Sequence, residues 1–239
     1  MKISLISLLA AVLAMVSLSS VSLSVVHAAD ITGVITFKGT PPPEKEITPL
    51  EEDPTCGALH TDKPMTQFYV VGPNGELADV IVSLNITGKS TGASAPAVVL
   101  DQKGCLYVPT ILAVQTGQKI TVKNSDPCIH NVHTTSKNGN DPHNDAQMPG
   151  GADLTYTFDK PEDFLKFQCD VHPWMFAWVT VEDSPYYAVS DKNGKFTIKD
   201  VPPGQYTITA IHRKLGSQKL DVEVKDSNVT VSFPAFEVK

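Results

Sequence analysis

The chain has 239 residues, with 19 basic and 26 acidic side chains and a formal net charge of −7. An acidic surface of this kind repels nucleic acid and anionic lipid, so neither is an expected partner. Eighteen Pro and fifteen Gly, spread as turn signals between β-rich runs, point to an all-β protein without internal repeats.

After Met1-Lys2 the chain is apolar and uncharged over residues 3–26, and Val26-His27-Ala28 supplies the small residues of a cleavage boundary. This is the pattern of a secretory signal peptide over residues 1–28, so a periplasmic or secreted product is expected. An uncleaved anchor is the competing reading, since the stretch is long enough to span a bilayer. No other segment is, so no stable membrane insertion is expected after cleavage. No Cys closely follows the apolar stretch, which argues against a lipid anchor.

The next segments read as strands and turns. Residues 31–37 form a strand closed by Gly39 and Pro41-Pro42-Pro43, and an acidic segment carrying Cys56 follows. Strands are expected over residues 68–71 and 78–84, separated by Pro73-Asn74-Gly75, and residues 90–96 form a linker of small residues. Short strands then follow at 97–100, 107–114 and 119–124, with Ile120 and Val122 on one face. A long polar loop is expected from Ser136 to Gly151. Residues 154–158 and 164–169 resume the β pattern, and alternation puts Leu165, Phe167 and Cys169 on the inner face. Residues 176–181 are the last strand of this unit, and Glu182-Asp183-Ser184-Pro185 is a second linker. No helical apolar stripe is visible in the mature chain.

Cys169-Asp170-Val171-His172-Pro173-Trp174-Met175 places a thiol, an imidazole and a thioether on one turn, and His130-Asn131-Val132-His133 lies upstream. Soft sulfur combined with imidazole nitrogen suits copper cycling between Cu(I) and Cu(II). Zinc also accepts thiolate and imidazole, but it does not need the thioether that Met175 offers. Met175 packing simply as core is the bland alternative, as is Cys169 engaged in a disulfide. Four cysteines remain after export, and if Cys169 binds metal, Cys56, Cys105 and Cys128 allow at most one bridge.

With Asn124, His130-Asn131 and the Cys169-x-x-His172-x-x-Met175 turn in place, residues 93–183 resemble the cupredoxins, closest to the plastocyanin and amicyanin branch. The short gap between His172 and Met175 is similar to amicyanin. The resemblance implies a Greek-key β-sandwich holding one type 1 copper ion, with His130, Cys169 and His172 as strong ligands and Met175 as a weak axial one. The family pattern sets the upstream ligand before Asn131, hence His130 rather than His133. His133 and His143 are then loop residues or parts of a weak second site, and His60 and His212 are structural. The implied function is single-electron transfer rather than catalysis, with a c-type cytochrome or a dehydrogenase as partner. Copper delivery and a non-redox interaction module are the alternatives, although no Met-rich tract supports delivery. Oxidases and nitrite reductases of the superfamily carry further His clusters that are absent here. Trp174, Phe176 and Trp178 adjoin the turn; two of them are expected in the core and one at a dry docking patch. Cys56–Cys105 is the preferred disulfide, leaving Cys128 as a buried thiol, a disulfide partner or an extra sulfur near the metal.

Residues 191–210, with Asn193-Gly194 and Pro203-Gly204 turns, resemble the carboxypeptidase-regulatory or prealbumin-like sandwich, and residues 32–37 resemble its first strand. A second, smaller, discontinuous β-sandwich made of residues 29–92 and 184–239 is therefore expected, with the cupredoxin inserted into it. This pairing of sequence types is similar to that of bacterial exported cupredoxin-like proteins.

Overall fold

The structure is a computed structural model that describes residues 28–238. The expected signal peptide lies outside the described residues, apart from Ala28. Among the described residues, no helix is long and apolar enough to cross a membrane.

In chain order the first elements are β1 (Ala29–Val34), α1 (Thr48–Glu52), β2 (Ile81–Leu84), β3 (Val98–Gln102), β4 (Tyr107–Val108), β5 (Ile111–Gln115), β6 (Ile120–Asn124) and β7 (His130–Thr135). Next come β8 (Asn144–Gln147), β9 (Leu154–Tyr156), β10 (Glu162–Gln168), β11 (Phe176–Glu182) and β12 (Tyr187–Val189). The chain closes with β13 (Lys195–Val201), β14 (Gly204–His212), β15 (Gly216–Val224) and β16 (Val229–Val231).

The protein is all-β in the sense expected, with two cores. Sheets β5-β11-β10-β7-β8 and β4-β3-β6-β9 enclose the first, built on Leu100, Ile120, Val132, Phe158, Leu165, Phe167 and Val179. Sheets β12-β2-β14-β15 and β13-β1-β16 enclose the second, built on Ile31, Val82, Phe196, Ile198, Ile208 and Phe233. Strand β1 runs antiparallel to β13 and parallel to β16, so the start of the described chain lies between strands from its end. A small apolar contact of Ile81, Ile111 and Ala113 joins the two halves.

One irregularity sets the register of β10. Between Glu162 and Leu165 the pairing of β10 with β11 slips, and Phe164 adopts a positive φ of 56°. Such a bulge inserts one extra residue and reverses which side chains face inward beyond it. Leu165, Phe167 and Cys169 are consequently all buried, as their alternation suggests.

Four sequence expectations need correction. The strand expected over residues 107–114 is divided into β4 and β5 around Pro109, which has no N–H to donate to a ladder. The loop expected from Ser136 to Gly151 contains β8, an edge strand paired with β7. Its Asn144, Asp145 and Ala146 are exposed, so it has no apolar alternation to reveal it. Residues 68–71 form only an isolated bridge, Val71 to Leu77. The acidic segment contains the five-residue α1, opened by Pro49 and too short to show an apolar stripe.

Candidate metal centre

The turn between β10 and β11 carries Cys169, His172 and Met175, three of the four candidate ligands. It is closed by two backbone hydrogen bonds, Cys169 N–H to Met175 O at 3.1 Å and Met175 N–H to His172 O at 2.9 Å. Cys169 is 2 % exposed and Met175 is fully buried, both within the core of this half. The Cys169 sulfur accepts a hydrogen bond from Asn131 N–H at 3.4 Å.

His130 is the first residue of β7, and it is fully buried. Pairing of β7 with β10 places it beside the Cys169 turn. Its Nδ1 lies 2.9 Å from His172 Nδ1, and His172 Nδ1 lies 3.7 Å from Cys169 Sγ. One ligand atom from each of His130, Cys169 and His172 falls within 4.8 Å of the others. Met175 joins them through the turn and the shared core. His133 is directed elsewhere, bonding Asp170 at 2.9 Å, and His143 packs tilted against Tyr156 with ring centroids 4.6 Å apart. His60 bonds Gly104 O at 2.7 Å, as a structural residue should.

Asp126 was not singled out from sequence, yet it organises the upstream side. Its Oδ2 accepts from His130 Nε2 at 2.9 Å and from Cys105 N–H at 2.7 Å, while Oδ1 accepts from Gly104 N–H at 2.7 Å. A carboxylate behind a ligating imidazole fixes its tautomer and ring orientation. In neutral His130 this contact would keep the proton on Nε2 and turn the Nδ1 lone pair toward His172. Asn124 holds the same loop, donating to Cys128 O at 2.9 Å and to Gln147 O at 3.0 Å. The Ser125-Asp126-Pro127 stretch carries no signal beyond a turn, so only its spacing of four from His130 hints at the role.

The electrostatics favour the metal-binding forms of Cys169 and His172, while His130 holds a proton more firmly and must give it up to bind. Burial pushes the Cys169 thiol up, but the His130 imidazole and the backbone amides of Asn131, His172 and Val171 outweigh it, and the net shift is downward. Burial pushes His130 down, yet Asp126 and Cys169 more than reverse this. Burial and the neighbouring His130 charge keep His172 below the ordinary imidazole value. A thiol that ionises easily and an imidazole that stays neutral are the forms that bind metal.

The donor set fits a copper ion. Metal–nitrogen bonds of about 2.0 Å set two nitrogens roughly 3.3–3.5 Å apart, so the imidazoles need to part only slightly from their 2.9 Å contact.

The three aromatics do not divide as expected, because Trp174, Phe176 and Trp178 are all half-buried. Trp174 tilts against His172 with centroids 5.2 Å apart, Phe176 stacks on Phe68, and the Arg213 guanidinium sits 4.4 Å from the Trp178 ring centroid. They fill the space between the two halves and the acidic segment, where no apolar alternation identifies them. The Cys56–Cys105 disulfide is present as preferred from sequence, and Cys128 and Cys169 are free.

Residues 95–182 match the family model described as copper binding proteins of the plastocyanin/azurin family. Residues 182–238 match the model of the second β-sandwich domain of BOS complex subunit NOMO1-like proteins. No curated protein matches the chain. Among solved structures, a Cu-containing nitrite reductase from Thermus scotoductus SA-01 is 20% identical with a TM-score of 0.34, covering 37% of this chain and 23% of its own. This chain thus spans about a quarter of that enzyme's length. A Cu(I) amicyanin variant is 22% identical with a TM-score of 0.33, covering 42% of this chain and 98% of its own. An oxidised amicyanin variant is 23% identical with the same coverage and TM-score. Residues 95–182 are a domain of the plastocyanin/azurin copper-binding family, set in a chain with a second β-sandwich.

Proposed function

We propose that this chain is an exported, mononuclear type 1 copper protein that carries single electrons between redox partners in the periplasm or outside the cell. The observation that supports this most is the convergence of His130, Cys169 and His172 from two separate stretches of chain, beside buried Met175. Cys169 Sγ, His130 Nδ1 and His172 Nδ1 would be the strong ligands and the Met175 thioether the weak axial one. When bound there, copper supplies a one-electron couple between Cu(I) and Cu(II).

The chain's own part is to keep one arrangement of donors. Asp126 pins the His130 ring, Asn131 N–H steadies the Cys169 sulfur, and the bulged β10 fixes that sulfur against the core. A frame that does not rearrange keeps the cost of electron transfer low, while the hydrogen bond to sulfur and the local apolarity set the potential. His172 is the ligand nearest the surface, flanked by exposed Val171 and Pro173 and backed by Trp174. This rim is the exit for the electron and the contact for a c-type cytochrome or a dehydrogenase, a partner class taken from fold analogy. We read residues 29–92 and 184–239 as one discontinuous scaffold or docking module around the copper-binding insert at 93–183.

Voltammetry of the copper-loaded chain tests carriage against the alternatives. A reversible one-electron wave with copper retained over many cycles is expected. An irreversible wave, with copper lost to a chelator on each reduction, would instead mean delivery.

A further inference from the structure

The cysteines other than Cys169 form a cluster of their own. The Cys56–Cys105 disulfide is fully buried and packs against Leu50, Ile47, Leu106 and Trp174. Cys128 is free and half-buried, with its sulfur 3.7 Å from Cys105 Sγ. Ligand atoms of Cys56, Cys105, Cys128 and His172 all lie within 4.8 Å of one another. In a tetrahedral thiolate site with metal–sulfur bonds of about 2.3 Å, neighbouring sulfurs sit roughly 3.8 Å apart. The Cys105–Cys128 separation already has that size. Cleaving the disulfide lets Cys56 and Cys105 relax from a covalent bond toward the same spacing.

We propose that reduction of the Cys56–Cys105 disulfide uncovers a second metal site, made of the Cys56, Cys105 and Cys128 sulfurs and selective for Cu(I), which adjoins the first site at His172. The Asp126 carboxylate also lies within 4.8 Å of the Cys105 and Cys128 sulfurs, but His130 Nε2, Cys105 N–H and Gly104 N–H already occupy it, so the free donors are three sulfurs, which favour a soft cation. The proposal stands apart from the reading of Cys169, which contributes no atom to it. Its consequence is a holding position from which Cu(I) is one imidazole away from the neighbouring site.

Both disulfide sulfurs are buried, so an external dithiol reaches them through Cys128. The Cys128 sulfur attacks Cys105 Sγ, the Cys56–Cys105 bond breaks, and the proton lost by Cys128 ends on the departing Cys56 sulfur. The new Cys105–Cys128 bond presents a half-exposed sulfur. One sulfur of the dithiol attacks Cys128 Sγ and releases Cys105 as a thiol. The second sulfur then resolves the mixed disulfide, freeing Cys128 and leaving the dithiol oxidised by two electrons. Cu(I) binding afterwards releases the thiol protons to solvent.

The test is Cu(I) uptake by the chain from Ala29 onward, in competition with a Cu(I)-selective chelator under argon. It is run with the disulfide intact and after dithiol reduction and removal of the reductant. The wild type should take one ion when oxidised and two when reduced. Cys169→Ser, lacking the first site, should take none when oxidised and one when reduced, with three sulfur neighbours in copper X-ray absorption. Cys128→Ser should lose the second ion or hold it at least tenfold more weakly. The second site is overturned if reduced Cys169→Ser takes no copper, if Cys128→Ser retains the second ion, or if reduction abolishes the β-sheet circular dichroism. Copper uptake by oxidised Cys169→Ser would count against the reading of Cys169 instead.

Discussion

Replacing Asp126 with Asn tests whether the upstream loop holds the His130 ring in place. The carboxylate is buried and accepts three hydrogen bonds, from His130 Nε2, Cys105 N–H and Gly104 N–H. An amide has the same shape but only one acceptor oxygen. With that oxygen toward Gly104, the NH2 group confronts two donors, His130 and Cys105; in the other orientation it confronts Gly104. At least one buried donor is stranded either way, and the remaining bonds lose their charge. Hydrogen bonds to charged groups are worth about 1.5–3 kcal/mol and a stranded donor costs about 1–3 kcal/mol, so the metal-free chain should lose about 2–4 kcal/mol. Loss of a carboxylate behind a ligating imidazole weakens metal binding about 10–100-fold. Urea denaturation of the metal-free protein and copper competition against a chelator read the two effects separately. If Asp126→Asn binds copper within twofold of the wild type and keeps its denaturation midpoint, Asp126 does not organise His130.

Three further outcomes follow from particular groups. Met175→Leu nearly conserves volume in a buried position, so stability should change by less than about 1.5 kcal/mol. Losing the thioether donor should raise the potential in voltammetry; an unchanged potential would mean that the sulfur does not face the ion. Burial, partly offset by the Ser83 hydrogen bond and aided by Asp163, raises Glu182 from 4.5 to about 7. A carboxyl whose folded value lies above its unfolded one contributes stability below pH 4.5 and loses it as pH rises through 7, here at most about 3 kcal/mol. Glu182→Gln should therefore match the wild type in denaturation at pH 4 and exceed it at pH 8; a pH-independent difference would refute this. Removing both disulfide cysteines, Cys56→Ser with Cys105→Ser, opens a closed loop spanning 49 positions. Loop-closure entropy puts the cost at about 4 kcal/mol, and a denaturation shift under about 1 kcal/mol would show the reduced chain to be held by other contacts.

The parts of the molecule that were legible in the sequence are those carried by local periodicity. Leu165, Phe167 and Cys169 alternate, and the structure buries all three. The Cys169, His172 and Met175 spacing is short enough for one turn to hold it, and β7 brings His130 to that turn. What was not legible depends on contacts between distant stretches or on backbone irregularity. The bulge at Phe164 determines the inward face of β10, but nothing in Asp163-Phe164 announces it. Strand β8 is polar throughout its exposed part because it forms a sheet edge, so it reads as loop. Asp126 acts through the fold of its own loop, and Cys128 gains its position only once Cys105 has crossed 23 residues of chain to meet it.

The most direct test of the central claim is the visible spectrum after Cu(II) addition, compared across two single-sulfur variants. An intense thiolate-to-copper band should appear in the wild type and in Cys128→Ser and be absent from Cys169→Ser. A band that survives in Cys169→Ser, or a colourless wild-type protein, would contradict the assignment of Cys169 as the copper thiolate.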